Sequence, residues 1–206
     1  MIISAAHKFI FVAIPKTGTH SVRRALRAHM GPQDIEQVGL FVQRSFPVPD
    51  LARIGHGHIS LAQLRPYMKP ADFDVFFKFG FVRNPFDRFV SYCSFITREE
   101  GDFDRDPQKV MRDFLANPPW GHILFRPQYE FMADANGNLL TDYVGRVEQM
   151  QQSYDEACER IGIPTATLEQ VNSSRRGDYR DYYDQSLIDG VARLYARDLE
   201  LFGYGF

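Results

Sequence analysis

FIFVAIPKTGTHSVRRALRAHM, residues 9 to 30, decides the fold. Phe9 to Ile14 is an unbroken apolar run rich in Phe, Ile and Val, which predicts a strand buried on both faces of a sheet. Pro15 ends the run. Lys16-Thr17-Gly18-Thr19-His20-Ser21 then forms a short polar turn with a single glycine to relax the backbone. Val22, Ala25, Leu26 and Met30 recur at helical spacing until Gly31-Pro32 stops the pattern. Strand, tight polar turn and helix together aim unpaired backbone N–H groups at an anion. Lys16 adds a full positive charge, and Thr17, Thr19 and Ser21 add hydroxyl donors, so the turn reads as a phosphate cradle. Its lysine precedes the only glycine, which separates it from the G-x-x-x-x-G-K-[ST] loop.

A second apolar run, Val75 to Val82, leads directly into RNPFDRFVSY, residues 83 to 92. Asn84 suits a helix N-cap and Pro85 the first helical position. Phe86, Phe89, Val90 and Cys93 form the expected buried stripe, leaving Arg88, Ser91 and Tyr92 on another face. Arg83, at the carboxyl end of the strand, and Ser91 read as a second anion site. A guanidinium at a helix start opposes the helix dipole, and a bound anion relieves that placement. The competing reading for Arg83 is an ion pair with Asp87.

Between these runs lies Gly55-His56-Gly57-His58, followed by Ser60 to Gln63, whose S-x-x-Q pattern is a capping box opening a helix through Leu61, Leu64 and Met68. Two histidines on glycine-flanked backbone just before a helix start are candidate general bases. The mixed segment 31–54 is expected to run irregularly over the mouth of the site. Residues 97–120 fit a lid or a plain surface excursion. Further on, the patterns predict a helix over 107–115 and a third strand over 139–147 after the Asn136-Gly137 turn. Helices are also expected over 148–161 and 185–201. The polar loop Asn172-Ser173-Ser174-Arg175-Arg176-Gly177 reads either as simple solvated surface or as a source of groups for a nucleotide.

The chain of 206 residues is long enough for one α/β domain, 1–206, with a full core. Its apolar fraction of 44% excludes disorder, and a net charge of −2 argues against broad binding to nucleic acid. Cys93 and Cys158 have no metal-ligand spacing, so neither a zinc site nor a disulfide scaffold is expected, and a cytoplasmic location is. No apolar run reaches the length of a membrane span, and the N-terminal run reads as strand one rather than a signal peptide. Two separated phosphate sites call for a nucleotide phosphorylated at two places, which 3′-phosphoadenosine 5′-phosphosulfate (PAPS) satisfies. ATP asks for one contiguous cradle and an acid-held metal, and no acid suits that role.

PKTGTHS, residues 15 to 21, resembles the 5′-phosphosulfate loop of the sulfotransferases, and RNPFDRFVSY resembles their 3′-phosphate motif. The variant is most similar to the carbohydrate sulfotransferases, including the heparan 2-O-sulfotransferase type and small bacterial relatives. GHGHIS, residues 55 to 60, resembles the turn that carries their catalytic histidine. RPQYEFM, VGRVE, the Asn172-Ser173-Ser174 loop and YARDLELFGY are similar in kind and order, so the resemblance runs nearly end to end. It implies a three-layer, P-loop-like α/β fold with a mostly parallel central sheet flanked by helices. It implies PAPS as donor, PAP as product, no metal, and a hydroxyl acceptor on a carbohydrate. Carried onto this chain, it implies donor contacts from Lys16, Thr17, Gly18, Thr19, His20, Ser21, Arg83, Ser91, Asn172, Ser173 and Ser174. It implies His58 as base, His56 as alternative base or orienting partner, and Lys16 at the leaving oxygen. The rival classes are a P-loop-type kinase and a non-catalytic nucleotide-binding module.

Overall fold

The computed structural model describes residues 1–39, 43–169 and 177–206. In chain order its strands and α-helices are β1 (Ile2–Ser4), β2 (Phe9–Val12), α1 (Thr19–Arg27), β3 (Ile35–Glu36), α2 (Pro49–Ala52), α3 (Leu61–Leu64), α4 (Pro70–Val75), β4 (Phe77–Val82), α5 (Pro85–Ile96), α6 (Asp102–Arg105), α7 (Pro107–Ala116), β5 (Tyr143–Arg146), α8 (Met150–Ile161), α9 (Gln185–Leu194) and α10 (Ala196–Phe202). The chain forms two compact units. A sheet unit comprises Met1–Val82 and Gln128–Asn172, and a helical unit comprises Arg83–Pro127 and Ser173–Phe206.

The sheet has the strand order β3-β1-β2-β4-β5. β2 runs parallel to β4, and β4 parallel to β5. β1 runs antiparallel to both β2 and β3. The expected α/β fold with a parallel core is therefore present, with an antiparallel edge added by two strands too short to show a periodicity. The β1–β2 hairpin is held from outside by Asp34, whose carboxylate accepts from Ser4 Oγ at 2.7 Å and from the amides of Ala5 at 2.7 Å and Gly31 at 2.9 Å. These bonds keep the Asp34 carboxyl below its usual pKa, against the opposing effect of burial.

Every residue of β2 is buried, as the apolar run requires. Alternation sends Phe9, Phe11, Phe79 and Phe81 to one face, where they meet Val22 and Leu26 of α1 and Tyr154, Ala157 and Cys158 of α8. The Phe11 and Phe79 rings lie 5.3 Å apart at a tilt of 43°. Each such ring contributes roughly 2–3 kcal/mol by leaving water. On the other face Lys78 turns its ammonium to the carbonyls of Phe73 (3.1 Å) and Phe76 (2.7 Å) and pairs with Asp142 at 2.9 Å. The β2–β4 register, Phe9↔Phe77 through Val12↔Gly80, brings the carboxyl ends of these two strands side by side.

In the helical unit Phe89, Tyr92, Phe125, Val191 and Tyr195 form the centre of the core. Tyr195 Oη donates to Phe125 O at 2.8 Å. Two of the three α5 residues expected on a face apart from the apolar stripe, Arg88 and Tyr92, are buried as well. Arg88 is anchored there by donating from Nη2 to the carbonyls of Leu124 (3.1 Å) and Arg126 (2.7 Å), which its long stem reaches across the core. Three element boundaries also differ. The helix after Ser60 ends at Leu64 in a 3-10 turn, Arg65–Tyr67, because Pro66 lacks the N–H needed to continue it. The third strand begins at Tyr143, since Leu139 bridges back to Ala133 across the Asn136-Gly137 turn. The last expected helix breaks at Tyr195 into α9 and α10.

Candidate active site

β2 ends at Val12 and α1 begins at Thr19, so residues 13–18 must reverse the chain in very little length. Two of them do so in the left-handed region, Lys16 at φ 65° and Gly18 at φ 68°. Glycine adopts that conformation freely, whereas a lysine held there costs on the order of 1 kcal/mol, which marks a constrained position. The buried Thr17 hydroxyl donates to Ile14 O at 3.0 Å, so its proton serves the turn itself. Gly18 is the N-cap of α1 and offers no side-chain cap, and no acidic residue occupies the first helical turn. The helix start therefore meets no carboxylate of its own first turn. Thr19 and Ser21 are buried, while Lys16 and His20 are half-buried. Burial first, then the charges of Arg23, Arg27 and Lys16, pushes the His20 pKa down. The charges of Lys16, Arg23 and Arg27 close to this turn favour an anion there.

The histidine turn lies in the same unit. His58 Nδ1 is 2.7 Å from Ala13 O, the residue that follows β2. A carbonyl only accepts, so Nδ1 carries the proton and Nε2 presents its lone pair. The His58 amide donates to His56 Nδ1 at 3.2 Å, so that nitrogen of His56 is the unprotonated one. The two rings stand 5.8 Å apart. Burial lowers the His58 pKa to about 3, with Arg23, the Met1 amine and His56 adding to the effect and the Ala13 carbonyl opposing it. His58 is thus a neutral imidazole of fixed tautomer. The capping box read from the sequence closes the turn: Gln63 N donates to Ser60 Oγ at 3.2 Å, and Ser60 N to Gln63 Oε1 at 2.9 Å.

The residues that hold this turn in place belong to no recognisable sequence motif. Gln37, next to β3, donates from Nε2 to Leu51 O at 2.7 Å and His56 O at 3.1 Å, and its Oε1 accepts from Phe46 N at 3.1 Å. The segment read as irregular thus contains β3 and a buried bracket for the histidines. Arg23 of α1 donates to Gly57 O at 3.0 Å. Its place was legible in principle, because position 23 falls with Thr19, Val22 and Leu26 on the inward stripe of α1, where a charge demands a partner.

In the helical unit, Arg83 is the residue joined directly to the end of β4. Its Nε pairs with Asp87 Oδ2 at 2.5 Å, so the ion pair weighed against an anion-binding role is formed. Asn84 caps α5 by accepting from Phe86 N at 3.0 Å, and its amide donates to Tyr179 Oη at 3.2 Å and Gly205 O at 2.8 Å. Ser91 is half-buried on α5. Asn172, Ser173 and Ser174 lie outside the described residues. Lys16, Thr17, Gly18, Thr19, His20, Ser21, His56 and His58 are thus gathered in the sheet unit, and Arg83 and Ser91 belong to the helical unit. Among the described residues, no group of three His, Cys, Asp or Glu side chains is placed to hold a metal ion. Cys93 and Cys158 are buried thiols outside any disulfide.

The parallel strands β2 and β4 open at one sheet edge, and the turn after β2 carries cationic side chains around a helix start. This is the architecture of α/β proteins that bind anionic ligands beyond the carboxyl ends of their strands. Within that class the chain belongs to the sulfotransferase family, whose family model matches residues 1–205. No curated protein and no solved structure is significantly similar to it. Membership implies a transferase of sulfuryl groups. Among the described residues no helix is long and apolar enough to cross a membrane.

Proposed function

We propose that the chain is a PAPS-dependent O-sulfotransferase, a single functional domain over 1–206, acting on a carbohydrate hydroxyl in the cytoplasm. The observation that carries the reading is the bond from His58 Nδ1 to Ala13 O, which ties a neutral imidazole of defined tautomer to the base of the Lys16 turn. The amides of the Lys16–His20 stretch and the hydroxyls of Thr19 and Ser21 hold the 5′-phosphosulfate, with Thr17 stiffening the turn from beneath. Arg83, with Ser91, takes the 3′-phosphate, and Asn172, Ser173 and Ser174 complete the nucleotide's surroundings. An incoming anion competes with Asp87 for the Arg83 fork, and a guanidinium prefers the bidentate partner.

In the transfer, the acceptor oxygen forms a bond to sulfur as the bond from sulfur to the 5′-phosphate oxygen breaks. His58 Nε2 takes the hydroxyl proton, and Lys16 stabilises the electron pair left on the departing PAP oxygen. An imidazole titrating near 3 is unprotonated throughout the physiological range, so its lone pair is always available. The negative charge of the donor raises its basicity when proton transfer is needed. His56, held through Nδ1 by the His58 amide, is the alternative base or the partner that orients the acceptor. A carbohydrate acceptor is what the likeness of residues 15–21, 55–60 and 83–92 to the carbohydrate sulfotransferases suggests.

Calorimetric titration with PAP, adenosine 5′-phosphate and ATP tests the donor. PAP is expected to bind at least tenfold more tightly than either, a margin of about 1.4 kcal/mol. A preference for ATP with magnesium would replace this reading by a kinase.

A further inference from the structure

Arg23 projects inward from α1, on the inner side of the helix whose start forms the Lys16 turn, and only 3% of it is exposed. Its Nη2 donates to Gly57 O at 3.0 Å and to Gln37 O at 3.2 Å. The peptide joining Gly57 to His58 is consequently held at both polar atoms. Its oxygen accepts from Arg23 and from the Met1 amine at 2.5 Å, while its N–H donates to His56 Nδ1 at 3.2 Å. Position 57 has to be glycine for this, because a Cβ would collide with Arg23 Nη2 and Gln37 O. Glu36 makes the buried cation tolerable. This buried carboxylate takes both arms of the Arg27 fork at 2.8 Å, accepts from Arg44 at 3.3 Å and lies 3.9 Å from Arg23 Nε. Burial lowers the Arg23 pKa to about 10, with Glu36 opposing the shift, so the guanidinium is charged at neutral pH.

We propose that Arg23 is a positioning residue for His58: from within α1 it clamps the Gly57–His58 peptide, so the helix that faces the donor also fixes where Nε2 points. The proposal rests on His58 being the base. One side chain thereby couples the register of the donor turn to that of the proton acceptor, although it touches neither reactant. Its charge also discourages protonation of the ring. The groups acting on His58 are Arg23 from α1, the Met1 amine ahead of β1, His56 of its own turn and the Ala13 carbonyl after β2, and only the last favours the protonated form.

The test is the ¹⁵N and ¹³C NMR titration of His58, assigned with His58→Asn, in wild type, Arg23→Met, Arg23→Lys and Arg27→Met. Neither the acceptor nor turnover is needed. Arg23→Met is expected to raise the His58 titration by about one unit or more and to mix its two tautomers. Arg23→Lys, which restores the charge, should return the titration most of the way. Arg27→Met removes a neighbouring guanidinium that spends its fork on Glu36, and should shift His58 by less than half as much. If Arg23→Met unfolds, Arg23→Gln carries the same test, since its shorter, neutral but polar side chain removes the charge and the Nη2 donor to Gly57 O. A His58 titration and tautomer unchanged in the folded variants, or a shift in Arg23→Met no larger than in Arg27→Met, overturns the proposal. Failure of PAP to bind wild type would instead remove the donor reading and leave the His58 titration result standing.

Discussion

Acidification should destabilise this protein through His58 in a defined window. The folded-state pKa of about 3 lies below the ordinary 6.5 of the unfolded chain. Between those values the unfolded chain binds a proton that the native state does not, so stability rises with pH across the window. The contribution is complete above about pH 6.5 and is lost as pH falls toward 3. Going from about pH 7 to about pH 4 traverses roughly 2.5 units of it, which at 1.36 kcal/mol per unit is about 3 kcal/mol. His58→Asn isolates that term, because the asparagine amide occupies the place of Nδ1 and still donates to Ala13 O but does not titrate. Urea unfolding of both proteins at the two pH values, followed by far-ultraviolet circular dichroism, measures the difference. Wild type should lose about 3 kcal/mol relative to His58→Asn on acidification. Parallel losses in the two proteins, or a relative gain by wild type, would show that the imidazole is not held neutral and would refute the argument from its burial.

Further outcomes separate fold from function at the Lys16 turn. Lys16→Gly should leave the melting free energy within about 1 kcal/mol of wild type, because φ 65° suits glycine, yet weaken PAP binding tenfold or more by calorimetry. Thr17→Val, nearly isosteric, strands the buried Ile14 carbonyl and should cost about 1–2 kcal/mol in thermal unfolding. Arg83→Ala should reduce affinity for PAP at least tenfold more than affinity for adenosine 5′-phosphate, which lacks the 3′-phosphate. Equal losses for the two ligands would move the 3′-phosphate away from Arg83.

What could be read from the chain was whatever depends on near neighbours. The apolar run Phe9–Ile14 points to a buried strand, and β2 forms over its first four residues; a lone glycine in a polar stretch before a helical pattern marks the Lys16 turn, and Ser60 with Gln63 marks a four-residue capping box. β1 and β3, at three and two residues, carry no period to detect and exist because a neighbouring edge accepts their hydrogen bonds. Helical spacing placed Arg88 on a face apart from the apolar stripe of α5, but it says only which side chains share a face, not which carbonyls a long stem will reach.

For the candidate site the division is equally physical. The sequence by itself named the histidines, the lysine and their flanking glycines, since those identities and spacings are covalent facts. Only the tertiary structure decided the state of His58, because its tautomer is set by Ala13, 45 positions earlier, and its basicity by burial beside Arg23. Desolvation and charge act through space and fall off within a few ångströms, so they become definite only when distant parts of the chain are brought together.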